Sequence, residues 1–193
     1  MTKYHKLHEL KDKMEKDTSL PLKSAATKLV FGSGNTEANV LCIGEGPGRN
    51  EDIQGLPFVG QAGKLLDKLL LLSGLERKKV FITNIVHHRP PENRDPLPLE
   101  IEAYGKYLDE IIKIIEPKII ITLGRFSMAK FLPDTFISQV HGKDFKVNWQ
   151  GMDFRVIPMY HPAASLRNGK ILEQEKKDFL NLKDLLERIL LFS

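Results

Sequence analysis

Apolar positions along this chain change period several times, and each change marks an element. Residues 5–16 set Leu7, Leu10 and Met14 at helical spacing among charged neighbours, which predicts a helix broken by Thr18-Ser19-Leu20-Pro21-Leu22. Residues 39–43 (NVLCI) are a short continuous apolar run leading into glycines, the pattern of a buried strand. Residues 62–73 gather Leu65, Leu66, Leu69, Leu70 and Leu72 on one broad face and predict a core helix ended by Gly74. A second strand is expected at 79–83 (KVFIT), then a long amphipathic helix at 98–115 stopped by Pro117. A third strand at 118–123 (KIIITL), a short helix at 125–132, a fourth strand at 154–158 (FRVIP) and a closing helix at 171–191 complete the pattern. Strands that alternate with helices predict an α/β fold, a three-layer α/β/α arrangement around a central four-stranded, mainly parallel sheet. At 193 residues, with no internal repeat or low-complexity linker, residues 1–193 are expected to form one domain.

Open parallel sheets bind ligands outside the carboxyl ends of their strands. GEGPGRNED (44–52) follows the first predicted strand, TNIVHHRPPENRDP (83–96) the second, and HPAASLR (161–167) the last, so three separated segments should converge on one crevice. The glycines at 44, 46 and 48 do not complete G-x-G-x-x-G, because Arg49 stands at the last required position; this disfavours a dinucleotide cofactor. Pro47 and the polar run after it predict an extended loop with no helix. Bare backbone there allows close approach to a flat ligand, with Glu45 and Glu51 as candidate polar contacts. GLPFVG (55–60) supplies Phe58, a core anchor or, opposite a base pocket, a stacking platform. Base–aromatic stacking contributes about 1–3 kcal/mol.

Asn84, directly after a strand, is a turn or cap residue in one reading; in the other its carboxamide offers a donor and an acceptor. Uracil presents N3–H and O4, the complement of a fixed asparagine, whereas cytosine presents the opposite pair. Each buried unpaired group costs about 1–3 kcal/mol. His161 ahead of Pro162 is an exposed loop residue in the plain reading, and in the other an N–H donor aimed at charge that develops on a leaving base. Leu166 and Arg167 fall at a loop tip, suited to filling the gap left by a flipped base and to holding a phosphate.

In this order and spacing the four segments resemble the iron–sulfur type, family four, uracil-DNA glycosylases over roughly residues 17–170. The resemblance implies the uracil-DNA glycosylase fold, with uracil stacked on Phe58, read by Asn84 and contacted at O2 by His161. It implies that Glu45, Gly46, Glu51 and Asn93 serve the pocket or the attacking water, with Glu45 a candidate general base. Arg89, Arg94, Leu166 and Arg167 are the expected DNA contacts. The activity implied is monofunctional hydrolysis of the N-glycosidic bond of a flipped uracil, leaving an abasic site. Alternatives are a uracil-DNA binding protein with little turnover, covalent capture by a histidine included, and a glycosylase for hypoxanthine or xanthine.

The cysteines depart from the family. Its four cluster ligands fall on Asp17, Leu20, His88 and a position near Tyr104, and Cys42 is the one cysteine of the chain, inside a predicted strand. A cubane cluster takes thiolate ligands, and Asp17 with His88 are too few for a mononuclear site, so no metal or other cofactor is expected. The cluster's task of tying the N-terminal helix to the loop after the second strand is expected to fall to Leu20 packing on Tyr104 and to Asp17 or a neighbour pairing with His88 or Arg89. A net charge of +4 and a pI near 9.0 suit a nucleic-acid ligand, though ordinary soluble proteins share them. No apolar run approaches a membrane span and the N-terminus lacks a secretory apolar core, so the expectation is an intracellular monomer whose partner is uracil-containing DNA.

Overall fold

The computed structural model describes residues 1–191. In chain order it comprises α1 (Lys3–Lys16), β1 (Ser33–Gly34), β2 (Val40–Gly44), α2 (Arg49–Gln54), α3 (Gln61–Leu72), β3 (Phe81–Asn84) and α4 (Pro98–Ile115). There follow β4 (Ile119–Leu123), α5 (Arg125–Ala129), α6 (Ile137–Val140), β5 (Phe145–Trp149), β6 (Met152–Met159), α7 (Pro162–Ser165) and α8 (Gly169–Leu191). The strands form one sheet in the order β1-β3-β2-β4-β6-β5. The inner four are parallel and are the strands expected from the sequence, while β1 and β5 add antiparallel edges that correct the sheet from four strands to six. β1 is only two residues long and carries no hydrophobic pattern. β5 is half-exposed and joins β6 through Gln150-Gly151, both at positive φ (50° and 81°), a two-residue hairpin turn.

Side chains alternate across the inner strands and fill two cores. Leu41, Ile43 and Ile120 face a layer built by α1 and α4, through Leu7, Leu10, Met14, Tyr104, Leu108 and Ile111. Val40, Cys42, Ile119 and Ile121 face the opposite layer, where α3 and α8 bring Leu66, Leu69, Phe179 and Leu182. Both faces are covered, which is why these strands read as unbroken apolar runs. Cys42 lies fully inside the second core, and burial pushes its thiol up to about 12. Truncating a fully buried leucine such as Leu66 costs about 2–5 kcal/mol. Among the described residues no helix is long and apolar enough to cross a membrane.

The extended loop expected after Pro47 is instead a helix. Gly48 stands at the N-cap of α2, Glu51 and Asp52 lie in its first turn where negative charge suits the helix dipole, and Gly55 ends it at φ 74°. Asp52 Oδ1 accepts the Thr27 and Lys28 N–H groups at 2.8 and 3.1 Å, so this six-residue helix is held by tertiary hydrogen bonds and has no apolar period to announce it.

The residues at the family's cysteine positions make their own connections. Tyr104, fully buried on α4, receives the Leu22 N–H and shares a 2.8 Å hydrogen bond with His88 Nδ1. A phenol oxygen that accepts from Leu22 directs its own proton to His88. Burial, with the Lys23 charge nearby, brings His88 down to about 4, so its imidazole is neutral and able to accept. Leu20 is buried in the same apolar core as Tyr104. Asp17 departs from the expectation: it binds neither His88 nor Arg89. Its Oδ1 accepts from Ser19, and its Oδ2 accepts from Tyr107 (2.7 Å) and Lys106 (2.9 Å), which fastens the end of α1 to α4. Tyr104 takes the His88 Nδ1 instead. These polar atoms are committed to one another, Leu20 offers no ligand atom, and Cys42 faces the opposite core, so the residues present do not fit an iron–sulfur cluster.

Candidate active site

At the carboxyl ends of β2, β3 and β4 a cleft of about 400 Å³ opens, with Glu45, Phe58, Asn84, Asn93, Arg125 and His161 in its wall. The sheet's register creates it. Gly44 pairs with Asn84, so the GEGPG turn and the asparagine leave the sheet side by side, while β4 on the other side of β2 delivers Gly124 and Arg125. Strand order reverses about β2, which is where a parallel sheet leaves a crevice between diverging loops.

Phe58 forms the floor in a strained conformation. Its φ is +52° although it is not glycine. Several contacts over-determine it. Arg77 donates to the Phe58 carbonyl at 3.0 Å and to the Pro57 carbonyl at 2.6 Å, and is itself paired with Asp67 at 2.9 Å. Glu51 Oε1 accepts the Val59 and Gly60 N–H groups at 2.9 and 2.8 Å. A Cβ on Gly63 would lie 1.9 Å from the Phe58 carbonyl oxygen, so only a glycine at that point of α3 admits this backbone. Strain of this kind, about 1–3 kcal/mol, persists where surrounding structure enforces it. The Phe58 ring lies against Gly44, where a Cβ would stand 2.6 Å from it, and 5.7 Å from the His161 ring at 28°.

Asn84, 1 % exposed, carries a buried Oδ1 with no hydrogen-bond partner. Buried acceptors are almost always paired, and this oxygen, on a residue of the cleft wall, is free to accept a hydrogen bond. His161 is the N-cap of α7, and its Nδ1 accepts the Ala163 N–H at 3.1 Å. The ring proton is therefore on Nε2. Burial, with Arg167 adding to it, brings the imidazole down to about 4, and it stays neutral at physiological pH. Glu45 is pushed up to about 7 by burial and by Asp95, against the pull of Arg125, whose N–H bonds its carboxylate. Gly124 makes room for that carboxylate: at φ +103° it would place a Cβ 2.3 Å from Glu45 Oε1.

The rim is more tied down than the sequence suggests. Arg89 Nε donates to Asn93 Oδ1 at 2.7 Å, bridging a turn in which Glu92 and Asn93 both take φ 56°. Arg94 grips Glu100 with both terminal nitrogens, at 2.8 and 2.6 Å, and Glu100 also accepts the Leu97 N–H at the start of α4. Arg125 pairs with Asp95 across the mouth at 2.5 Å. Arg167 lines the cleft, and Leu166, 51 % exposed, stands beside it at the end of α7 rather than at the tip of a free loop. Gly46 lies where a Cβ would meet Val86 at 2.8 Å. The structure thus gathers Glu45, Gly46, Glu51, Phe58, Asn84, Asn93, Arg94, His161 and Arg167 around one cavity, and gives Glu51 a bracing task within it. Sequence reasoning missed Arg77, Gly63, Asp95 and Arg125. Asp95 and Arg125 stand thirty positions apart, and nothing in the sequence pairs them.

Residues 31–183 match the family model described as the uracil DNA glycosylase superfamily. The chain belongs to that superfamily. A type-4 uracil-DNA glycosylase of Archaeoglobus fulgidus is 44 % identical over 170 residues, covering 85 % of each chain. One of Sulfurisphaera tokodaii is 42 % identical over 185 residues, covering 93 % of this chain and 84 % of the relative. One of Saccharolobus solfataricus is 47 % identical over 163 residues, covering 81 % and 76 %. The superfamily match takes in the segments that carry Glu45, Phe58, Asn84 and His161, so the cleft described above lies within the shared region. The segment from Asp17 to Leu22, which makes the substitute connections at the family's first cysteine positions, lies just ahead of it.

Proposed function

We propose that this chain is a DNA repair glycosylase that takes a flipped uracil into the cleft and hydrolyses its N-glycosidic bond. The observation that carries the reading is the buried, unpartnered Oδ1 of Asn84 on the cleft wall. Uracil N3–H supplies the donor this oxygen lacks, and cytosine, with an unprotonated N3, does not. Phe58 stacks on the base. As the bond between C1′ and N1 breaks, its electron pair passes into the pyrimidine and charge collects on O2, where the neutral His161 Nε2–H donates a hydrogen bond worth more in the transition state than in the ground state. Water adds at C1′, Glu45 takes its proton, and uracil and an abasic sugar leave. No lysine lines the cleft, which fits hydrolysis by water without a Schiff base.

Arg167 is assigned to a backbone phosphate and Leu166 to the gap in the stack, with Arg89 and Arg94 acting chiefly by bracing the loop that holds Asn93. Every group invoked comes from one chain, which supports a monomer, and a DNA substrate supports a location inside the cell. Covalent capture has no support here: His87 is fully buried against Thr83 and His88 is engaged with Tyr104.

The test is base release from single-stranded and duplex oligonucleotides containing uracil, hypoxanthine, xanthine or cytosine, with the wild type, Asn84→Ala and His161→Ala. Free uracil from the wild type, and strong loss in both variants, is expected. Wild-type release by both variants overturns the site. Preferential release of a purine overturns the substrate.

A further inference from the structure

Behind the cleft, α8 holds two carboxylates one turn apart, and the function proposed above uses neither. Glu175 is fully buried and accepts the Ser165 O–H on its Oε2, while its Oε1 is buried without a partner. Asp178 pairs with His141 Nδ1 at 2.6 Å, and the His141 ring lies 4.6 Å from that of Tyr160. Gly142, at φ +70°, clears the space for Asp178, since a Cβ there would stand 2.4 Å from its Oδ1. The two attachments fall on either side of His161: Tyr160 immediately before it, and Ser165 at the last residue of α7. α7 itself is four residues long, too short to hold a helical shape by its own hydrogen bonds.

A buried carboxylate is a costly way to fill a core position, and an aliphatic side chain of similar size fills it at less desolvation cost. What Glu175 adds over such a residue is direction. We propose that Glu175 is a positioning residue for the catalytic turn: by holding Ser165 it fixes the pitch of α7, and with it the Ala163 N–H that sets the His161 tautomer and the places of Leu166 and Arg167. This rests on His161 acting at the base as proposed above. Burial first, and Asp178 after it, push Glu175 up to about 7 against the Ser165 hydrogen bond, which lowers the cost of keeping the group inside at and below that pH.

The test is the single-turnover rate of uracil release at enzyme concentrations that saturate the DNA, together with thermal midpoints. Ser165→Ala and Glu175→Leu are expected to slow release about ten- to a hundredfold, the range for a displacement of about 1 Å. Glu175→Gln, which can still bond Ser165, should stay within about threefold of the wild type. The double variant Ser165→Ala/Glu175→Leu should be no slower than the slower single, because both remove one hydrogen bond. If Glu175→Leu fails to fold, Ser165→Ala removes the same bond from its smaller side. Lowered midpoints with wild-type rates overturn the proposal and leave Glu175 a stability residue. His161→Ala in the same assay separates the two claims. Slow release in that variant with wild-type rates in Ser165→Ala overturns the role of Glu175 alone, whereas wild-type rates in both overturn the role of His161 and this inference with it.

Discussion

If His161 works as a neutral donor, its titration should be absent from the pH profile of catalysis. The Ala163 N–H occupies Nδ1 at 3.1 Å, leaving the proton on Nε2, and burial brings the imidazole down to about 4. At pH 5.5 only about one ring in thirty then carries a second proton. Glu45, raised to about 7, must lose its proton to act as a base, so the rate should rise with pH through about 7 and level off above it. Removing the donor in His161→Ala should slow single-turnover release by about 10²–10³, as for loss of one preorganised donor elsewhere. Glu45→Gln should be slow and nearly flat with pH. Rapid-quench measurements on a uracil-containing oligonucleotide from pH 5 to 9, beside 15N spectra of the imidazole, give both halves. A rate that falls as pH rises through 6 to 7, with the His161 ring titrating near 6.5, would make the imidazolium the active form and refute the reasoning.

Other outcomes follow from the same geometry. Gly44→Ala would set a methyl 2.5 Å from Asn84 Oδ1 and 2.6 Å from the Phe58 ring; the strand accepts alanine, so release should slow by at least about tenfold with a small change in thermal midpoint, and an unaffected rate would show that the two side chains need not be so placed. Tyr104→Phe strands the buried His88 Nδ1 and the Leu22 N–H, at about 1–3 kcal/mol each, and should lower the midpoint by several degrees without altering the rate in excess DNA; an unchanged midpoint would remove the connection assigned to Tyr104. Acid should destabilise the fold. His87, His88 and His161 are held near 3, 4 and 4, so between about 6.5 and 4.5 the unfolded chain binds their protons and the native state does not, and stability falls as pH drops. Glu45 and Glu175, raised to about 7, oppose this by binding protons in the native state over the same window, leaving three groups against two. A urea midpoint at pH 4.5 equal to or above that at pH 6.5 would contradict this balance.

The sequence was most legible where one physical demand dominates. Strands covered on both faces must be apolar at every position, so the four inner strands stood out, and long helices such as α4 announced themselves by period and by the prolines at their ends. Polar residues at or just beyond strand ends must meet at one edge of a parallel sheet, which brings Glu45, Asn84 and His161 together. Elements held by tertiary contacts were not legible. α2 depends on Asp52 reaching back to Thr27 and Lys28, and β1 is a strand only because β3 lies beside it. The Gln150-Gly151 turn between alternating residues is a hairpin signal that the sequence does carry.

The chemistry divides in the same way. Residue type alone determined which groups can recognise uracil, and which cannot hold a cluster, because donor count, acceptor count and ligand softness belong to the side chain. Only the tertiary structure decided their states. The raised Glu45 and the unpaired Asn84 oxygen arise from burial and from neighbours distant in sequence, whereas His161 is kept neutral by burial and has its proton left on Nε2 by the Ala163 N–H two residues on. The partners of Asp17 and His88, Tyr107 and Tyr104, likewise come from another element of the fold. A side chain brings its hydrogen-bonding groups with it, but its protonation and its partner depend on what the fold sets within about 3 Å of it.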